Sequence, residues 1–175
     1  MQSLKTQIDP AEKEVATVEE DQYLTFLVKD ENYAIDILDV QEIIEVGRMT
    51  RVPLTPAHIR GVINLRGSVV PVVDLSARLG KSVSELTKRS CIVLVEISTG
   101  DGRKNLGILL DEVKEILEIA RTDLQPAPAF GTDIRTDFIQ AMGRVGEAFM
   151  ILLDVNHVLS VDKLAGLKEL AEVTT

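Results

Sequence analysis

Five aspartates stand at or near places where an apolar run stops: Asp36, Asp39, Asp74, Asp111 and Asp154. Two of them converging in a cleft would supply a general acid and a general base for hydrolysis. Their recurrence at the ends of β-rich runs suits turns better, because a short carboxylate bonds backbone amides a few residues on. The two histidines, His58 and His157, lie far apart in the chain. Neither is near the single cysteine or in a His-Glu-x-x-His spacing, so packing or surface roles are expected for both. Cys91 falls inside the apolar run CIVLVEI and reads as a small buried hydrophobe. The step from Gly61 to Gly67 lacks the lysine and hydroxyl of a phosphate loop, Gly100 and Gly102 look like a turn, and no serine sits in a nucleophile elbow. These residue types predict a protein that is not an enzyme, with no catalytic group, metal site or cofactor.

Binding chemistry is better supported, and it concentrates between His58 and Leu75, HIRGVINLRGSVVPVVDL. Val62, Ile63 and Leu65 form one β-rich run, Ser68 to Val73 form a second, and Arg66-Gly67 supplies the turn. Arg66 is therefore predicted to project from a hairpin tip. Pro71 lacks an amide proton, which predicts a sheet edge or a bulge for its strand.

The rest of the chain must position that hairpin, and it reads mostly as strands. YLTFLVK and NYAIDI flank Asp30-Glu31 as one hairpin, and CIVLVEI and NLGILL flank a turn over Ser98 to Lys104 as another. LDVQEIIE and DEVKEILE fit either helical or strand spacing, and strands after one helical turn are favoured. Ser76 to Leu79 could make a short helical turn before Gly80. At the C-terminal end Ser160 can cap a helix carrying Leu164, Leu167, Leu170 and Ala171. A weak internal repeat runs through the pattern. Residues 33–45 lie over 106–118, with identities such as Ile35/Ile108, Val40/Val113 and Ile43/Ile116, and Val69–Leu75 lies over Phe149–Val155 with Asp74 over Asp154. Many short strands and a terminal helix predict an all-β fold of two small barrels sharing a core. The expected division is a disordered acidic tail over 1–20, the barrels over 21–160, and a C-terminal helix and tail over 161–175.

Composition narrows the partners. The 175 residues are 45% hydrophobic, enough for a real core, and 28 acidic against 19 basic side chains leave a formal charge of −9. That charge, with aromatics at 3%, argues against a nucleic-acid surface, which needs a basic groove and stacking rings. No run approaches the roughly 18 to 20 apolar residues of a membrane span and no secretory h-region opens the chain, so a cytosolic protein without direct membrane insertion is expected. A lone cysteine fits a reducing compartment.

Four motifs in order, YAIDILDVQEI, PAHIRGVINLRG, VVPVVDL and QPAPAF, resemble those of the bacterial chemotaxis coupling proteins, the CheW-like family, over about Tyr23 to Leu167. The resemblance implies two five-stranded SH3-like barrels. It also implies a non-enzymatic adaptor, linking the cytoplasmic tips of chemoreceptors (methyl-accepting chemotaxis proteins) to the regulatory domain of the histidine kinase CheA in membrane-associated arrays. A scaffold of a related motility or two-component pathway, or an adaptor-only ring made with other copies, stays open. Val40, Glu42, Gly61 and Arg66 match positions where this family meets receptor. Gln125, Pro126 and Phe130, in QPAPAF, match the segment that meets the kinase. Arg66 could instead form an internal ion pair with Glu42, Val40 could be core, and Phe130 could pack inward. Gln125 replaces an arginine of some relatives, which removes a charged contact there.

Overall fold

A computed structural model describes residues 19–100, 102–127 and 136–160. Eleven strands carry these residues: β1 Glu20–Val28, β2 Glu31–Asp36, β3 Val40–Glu45, β4 Ile59–Leu65, β5 Ser68–Asp74, β6 Cys91–Thr99, β7 Gly102–Leu110, β8 Glu112–Ala120, β9 Leu124–Gln125, β10 Ile139–Val145 and β11 Ala148–Leu153. Two single-turn helices, α1 Leu75–Arg78 and α2 Val155–Val158, follow β5 and β11. Among the described residues no helix is long and apolar enough to cross a membrane. The expected N-terminal tail (all but its last two residues), the C-terminal helix beyond Ser160 and Phe130 lie outside the described residues.

The hairpin turns obey the rule that two-residue loops need positive φ at both central positions, which matches the right-handed twist of the strands. Arg66 and Gly67 have φ of 51° and 90°, and the Asn64 side chain accepts from the Gly67 amide at 2.8 Å. In the first hairpin the loop is Lys29-Asp30, φ 51° and 66°, one residue earlier than Asp30-Glu31. The β6–β7 pair closes more tightly than expected, with Ser98 opposite Arg103 and Thr99 opposite Gly102. The two ambiguous segments are strands. A 3-10 turn over Ile37–Asp39, capped by Asp36 on the Leu38 amide at 2.9 Å, precedes the first of them.

The strands form two sheets, ordered β8-β1-β2-β11-β10-β9 and β3-β6-β7-β5-β4. Each has five long strands, and β9 adds two residues to the first. The sheets exchange material: the β1–β2 hairpin pairs with β8 and β11 of the second half, while β6–β7 pairs with β3 and β5 of the first. Matching details run through both halves. Bulges fall at Leu24/Phe26 and Val40/Glu42, and again at Ile59/Gly61 and Ile139/Ala141. Asp74 caps α1 through the Ala77 amide, and Asp154 caps α2 through that of His157. The Asp74 amide bonds His58 O and the Asp154 amide bonds Phe138 O, both at 2.8 Å. The chain is an internal duplication with intertwined halves.

Three apolar clusters follow from this arrangement. One gathers Ile63, Val70, Val72, Ile92, Leu94 and Leu109 from the five-stranded sheet alone. Another holds Tyr23, Ala34, Ile119, Ala141 and Leu152 of the six-stranded sheet. The largest takes residues of both, including Phe26, Tyr33, Val93, Ile108 and Leu153, so it is the shared core. Pro71 departs from expectation, because β5 is an interior strand between β7 and β4. The position is tolerated because the parallel ladder to β7 begins only at Val72, so no partner there needs a proton from residue 71. Cys91 is half-buried, its Sγ 3.3 Å from Arg89 O.

Candidate functional site

Strands β3 and β4 are the two terminal strands of the five-stranded sheet, and side chains near their ends meet. Arg66, lifted by the left-handed turn, places Nη2 2.6 Å from Glu42 Oε1. Arg66 is 67% exposed and Glu42 40%, so the pair is a solvated one worth no more than about 1 kcal/mol. Both groups remain able to exchange partners. A bulge between Val40 and Glu42 breaks the β3 ladder just before the glutamate.

Gly61 lies on β4, five residues before Arg66, and is buried. A Cβ there would stand 2.6 Å from Thr50 O, so only glycine lets the preceding loop come this close. The approach is fixed by a reciprocal pair, Thr50 N to Val62 O at 2.9 Å and Val62 N to Thr50 O at 2.8 Å. Val40 is half-buried, sits opposite Val95 and packs on the shared core. Glu42, Gly61 and Arg66 thus belong to one region of one sheet, and Val40 supports it from behind.

Gln125 and Pro126 occupy the other sheet. Gln125 is exposed on β9 opposite Met142 of β10, and Pro126 is exposed just after it.

The aspartates are structural. Asp36, Asp74 and Asp154 cap helical turns, and Asp111 accepts from the Lys29 amide at 2.7 Å. Asp74 is fully buried and anchors a network, receiving Arg60 Nη1, the Ser84 amide and Ser84 Oγ, each at 2.9 Å. The carboxyl of Asp39 is held above the usual range by burial first, then by the charges of Asp36 and Asp154. The imidazole of His58 is pushed below its ordinary value by burial and then by Arg78, and its Nε2 has no partner among the described residues. Arg78 crosses between the repeats, its Nε donating to Val158 O at 2.7 Å and its Cζ lying 4.8 Å over the Phe138 ring. Among the described residues no three His, Cys, Asp or Glu side chains are placed to hold a metal ion.

Sequence reasoning missed the Arg60–Asp74–Ser84 network and a set of exposed apolar side chains. Ile43 and Ile116, identical in the repeat, are both exposed, as are Val69 and Phe149 at matched places on the two hairpins. The signal was present in EIIE and EILE, where two adjacent apolar residues on a strand cannot both face the core.

Comparison with known proteins agrees with this architecture. The CheW-like domain model matches residues 22–163. The chain is 33% identical to the chemotaxis protein CheW of Klebsiella aerogenes, covering 82% of this chain and 84% of that one. With the chemotaxis protein CheW of Thermotoga maritima it shares 35% identity, covering 81% and 89%. The crystal structure of the scaffolding protein TtCheW from Thermoanaerobacter tengcongensis superimposes with a TM-score of 0.74 at 30% identity, covering 85% of this chain and 93% of that one. The chain therefore belongs to the CheW-like domain family, the non-enzymatic adaptors of chemotaxis.

Proposed function

We propose that this adaptor couples the cytoplasmic tips of chemoreceptors to the regulatory domain of the histidine kinase CheA, on the cytoplasmic face of receptor arrays. The observation that carries the reading is the separation of its two candidate surfaces. Glu42, Gly61 and Arg66 lie on the five-stranded sheet, and Gln125 and Pro126 on the six-stranded one. An adaptor must hold two partners at once, and surfaces on different barrels do not compete. On the receptor side, a hairpin-tip guanidinium offers planar charge-assisted hydrogen bonds to carboxylates or carbonyls of a helix, and its solvated link to Glu42 costs little to rearrange. On the kinase side Pro126 stiffens the contact segment and lowers the ordering cost of binding. Phe130 is the anchor we assign to that segment. Val40 contributes by holding the strand that carries Glu42.

Co-sedimentation with receptor-bearing membranes and the cognate kinase, comparing wild type with Arg66→Glu, tests the reading. Wild type pelleting with activated kinase, and a folded variant that does neither, is the expected outcome. A variant that pellets and activates like wild type would remove Arg66 from the receptor surface.

A further inference from the structure

The connection from β3 to β4 holds a conformation that packing does not explain. Leu54 has φ +64°, the left-handed region that side-chain-bearing residues avoid, and it is 99% exposed. It occupies the third place of a turn whose second residue is Pro53, a place where glycine is favoured. A large apolar side chain is thus held in a strained backbone and presented to solvent. Strain that the fold maintains without an internal contact points to a binding role.

The surroundings have the form of a receptacle. Val52, Pro53, Leu54, Pro56, Ile59 and Val83 contribute to an open groove of about 480 Å³. The prolines and the Thr55 hydroxyl, which donates to Val52 O at 2.9 Å, stiffen one wall. The wall bearing Val83 is tied down by Lys29 Nζ on Val83 O at 3.2 Å and by the bonds of Ser84 to Asp74. Arg51 lines the groove and Arg48 lies just before it in the chain. Both are exposed and have no ion pair among the described residues, in a chain whose net charge is −9. Gly61 meets the same loop, since its Cβ direction points at Thr50 O and lies 3.6 Å from Arg51 Cα. The groove is therefore continuous with the region of Gly61 and Arg66.

We infer that this groove is the second half of the receptor contact, taking an apolar side chain of the receptor helix beside Leu54 while a carboxylate on that helix pairs with Arg51. The inference rests on the receptor reading of Arg66. A helix lying along β4 would reach both, because seven strand residues span roughly 20 Å at about 3.3 Å each, the length of some four helical turns.

The test measures binding to receptor-bearing membranes and, separately, to the purified kinase regulatory domain, for Leu54→Glu, Arg51→Glu, Leu54→Gly and Arg66→Glu, each checked for folding by thermal melting. Expected is a loss of about tenfold or more in receptor affinity for both charge variants with kinase-domain binding unchanged. Leu54→Gly relieves the left-handed strain, so its melting temperature is expected to equal or exceed that of wild type while receptor affinity falls. If Arg66→Glu loses receptor binding and the Leu54 and Arg51 variants keep it, the groove is outside the footprint and the inference fails alone. If the groove variants lose the kinase domain instead, the groove docks the kinase and the inference fails. If Arg66→Glu binds receptor like wild type, the receptor reading falls and takes this inference with it.

Discussion

Arg66 Nη2 and Glu42 Oε1 stand 2.6 Å apart, joining the hairpin tip of β4–β5 to β3 at the opposite end of the same sheet's strand order. The contact closes the sheet on itself with a bond that is nearly dispensable for folding. A double-mutant cycle on Arg66→Ala and Glu42→Ala is expected to give a coupling energy below about 1 kcal/mol, because both groups are solvated. Receptor coupling is expected to fall in each single variant. A coupling energy of several kcal/mol would make the pair a structural strut.

Asp74 and Asp154 sit at equivalent places in the repeat but in different surroundings. Asp154 caps α2 on a half-exposed surface with His157 Nδ1 at 2.8 Å, and Asp154→Ala is expected to cost about 1 kcal/mol. Asp74 is fully buried against Arg60 and Ser84, so Asp74→Ala strands their donors and is expected to cost about 3–5 kcal/mol. Chemical denaturation of the two variants side by side checks the ordering, and equal losses would contradict the buried-network account.

Gly61→Ala is expected to destabilise by about 1–3 kcal/mol, since the new methyl meets backbone oxygen and not a flexible side-chain end. The Thr50–Val62 bridge should open with it. Hydrogen exchange at the amides of Thr50 and Val62 reads this directly, and unchanged protection would show that the loop yields without cost.

His58 gives acid sensitivity of a defined sign. Burial and Arg78 disfavour its protonated form in the fold, so its folded pKa lies below the ordinary 6.5. The unfolded chain then binds the proton first as pH drops. Stability from this group is complete above about 6.5 and is lost as pH falls through the folded value. Asp39 acts oppositely, since its raised folded pKa favours the fold most below 3.8 and that share is lost as pH rises through the folded value. Melting temperatures of wild type and His58→Phe, which installs the residue found at the equivalent position Phe138, are expected to converge at acid pH and differ in slope just below 6.5. Identical slopes would exclude His58 as the source.

Much of this fold was legible locally, and the exceptions have physical causes. The Arg66-Gly67 turn announced itself through glycine, whereas Lys29-Asp30 makes the same turn with two residues that give no such signal. The β-branched alternation of VQEIIE correctly favoured a strand, because period two puts one face on the core. Which hairpin pairs with which was not legible: β1–β2 carries no local mark that it belongs beside β8 and β11, and the choice is made by the shared core. For the candidate site, the Arg66–Glu42 contact was foreseeable from opposite charges on strands expected in one barrel. Leu54 was not, since nothing in VPLT tells that a leucine adopts the backbone of a glycine. The place of Pro71 inside a sheet depended on where a parallel neighbour begins, which no local pattern encodes.

The exchange of hairpins between the halves has a consequence for ancestry and for cutting the chain. Neither repeat owns a complete sheet, because β1–β2 closes the barrel built by the second half and β6–β7 closes the one built by the first. A single repeat could finish its barrel only by borrowing a hairpin from another copy, so its natural free-standing form is a swapped homodimer, and joining two such copies end to end yields the present topology. Severing the backbone between α1 and β6 would then leave two fragments that remain clasped, each insoluble without the other.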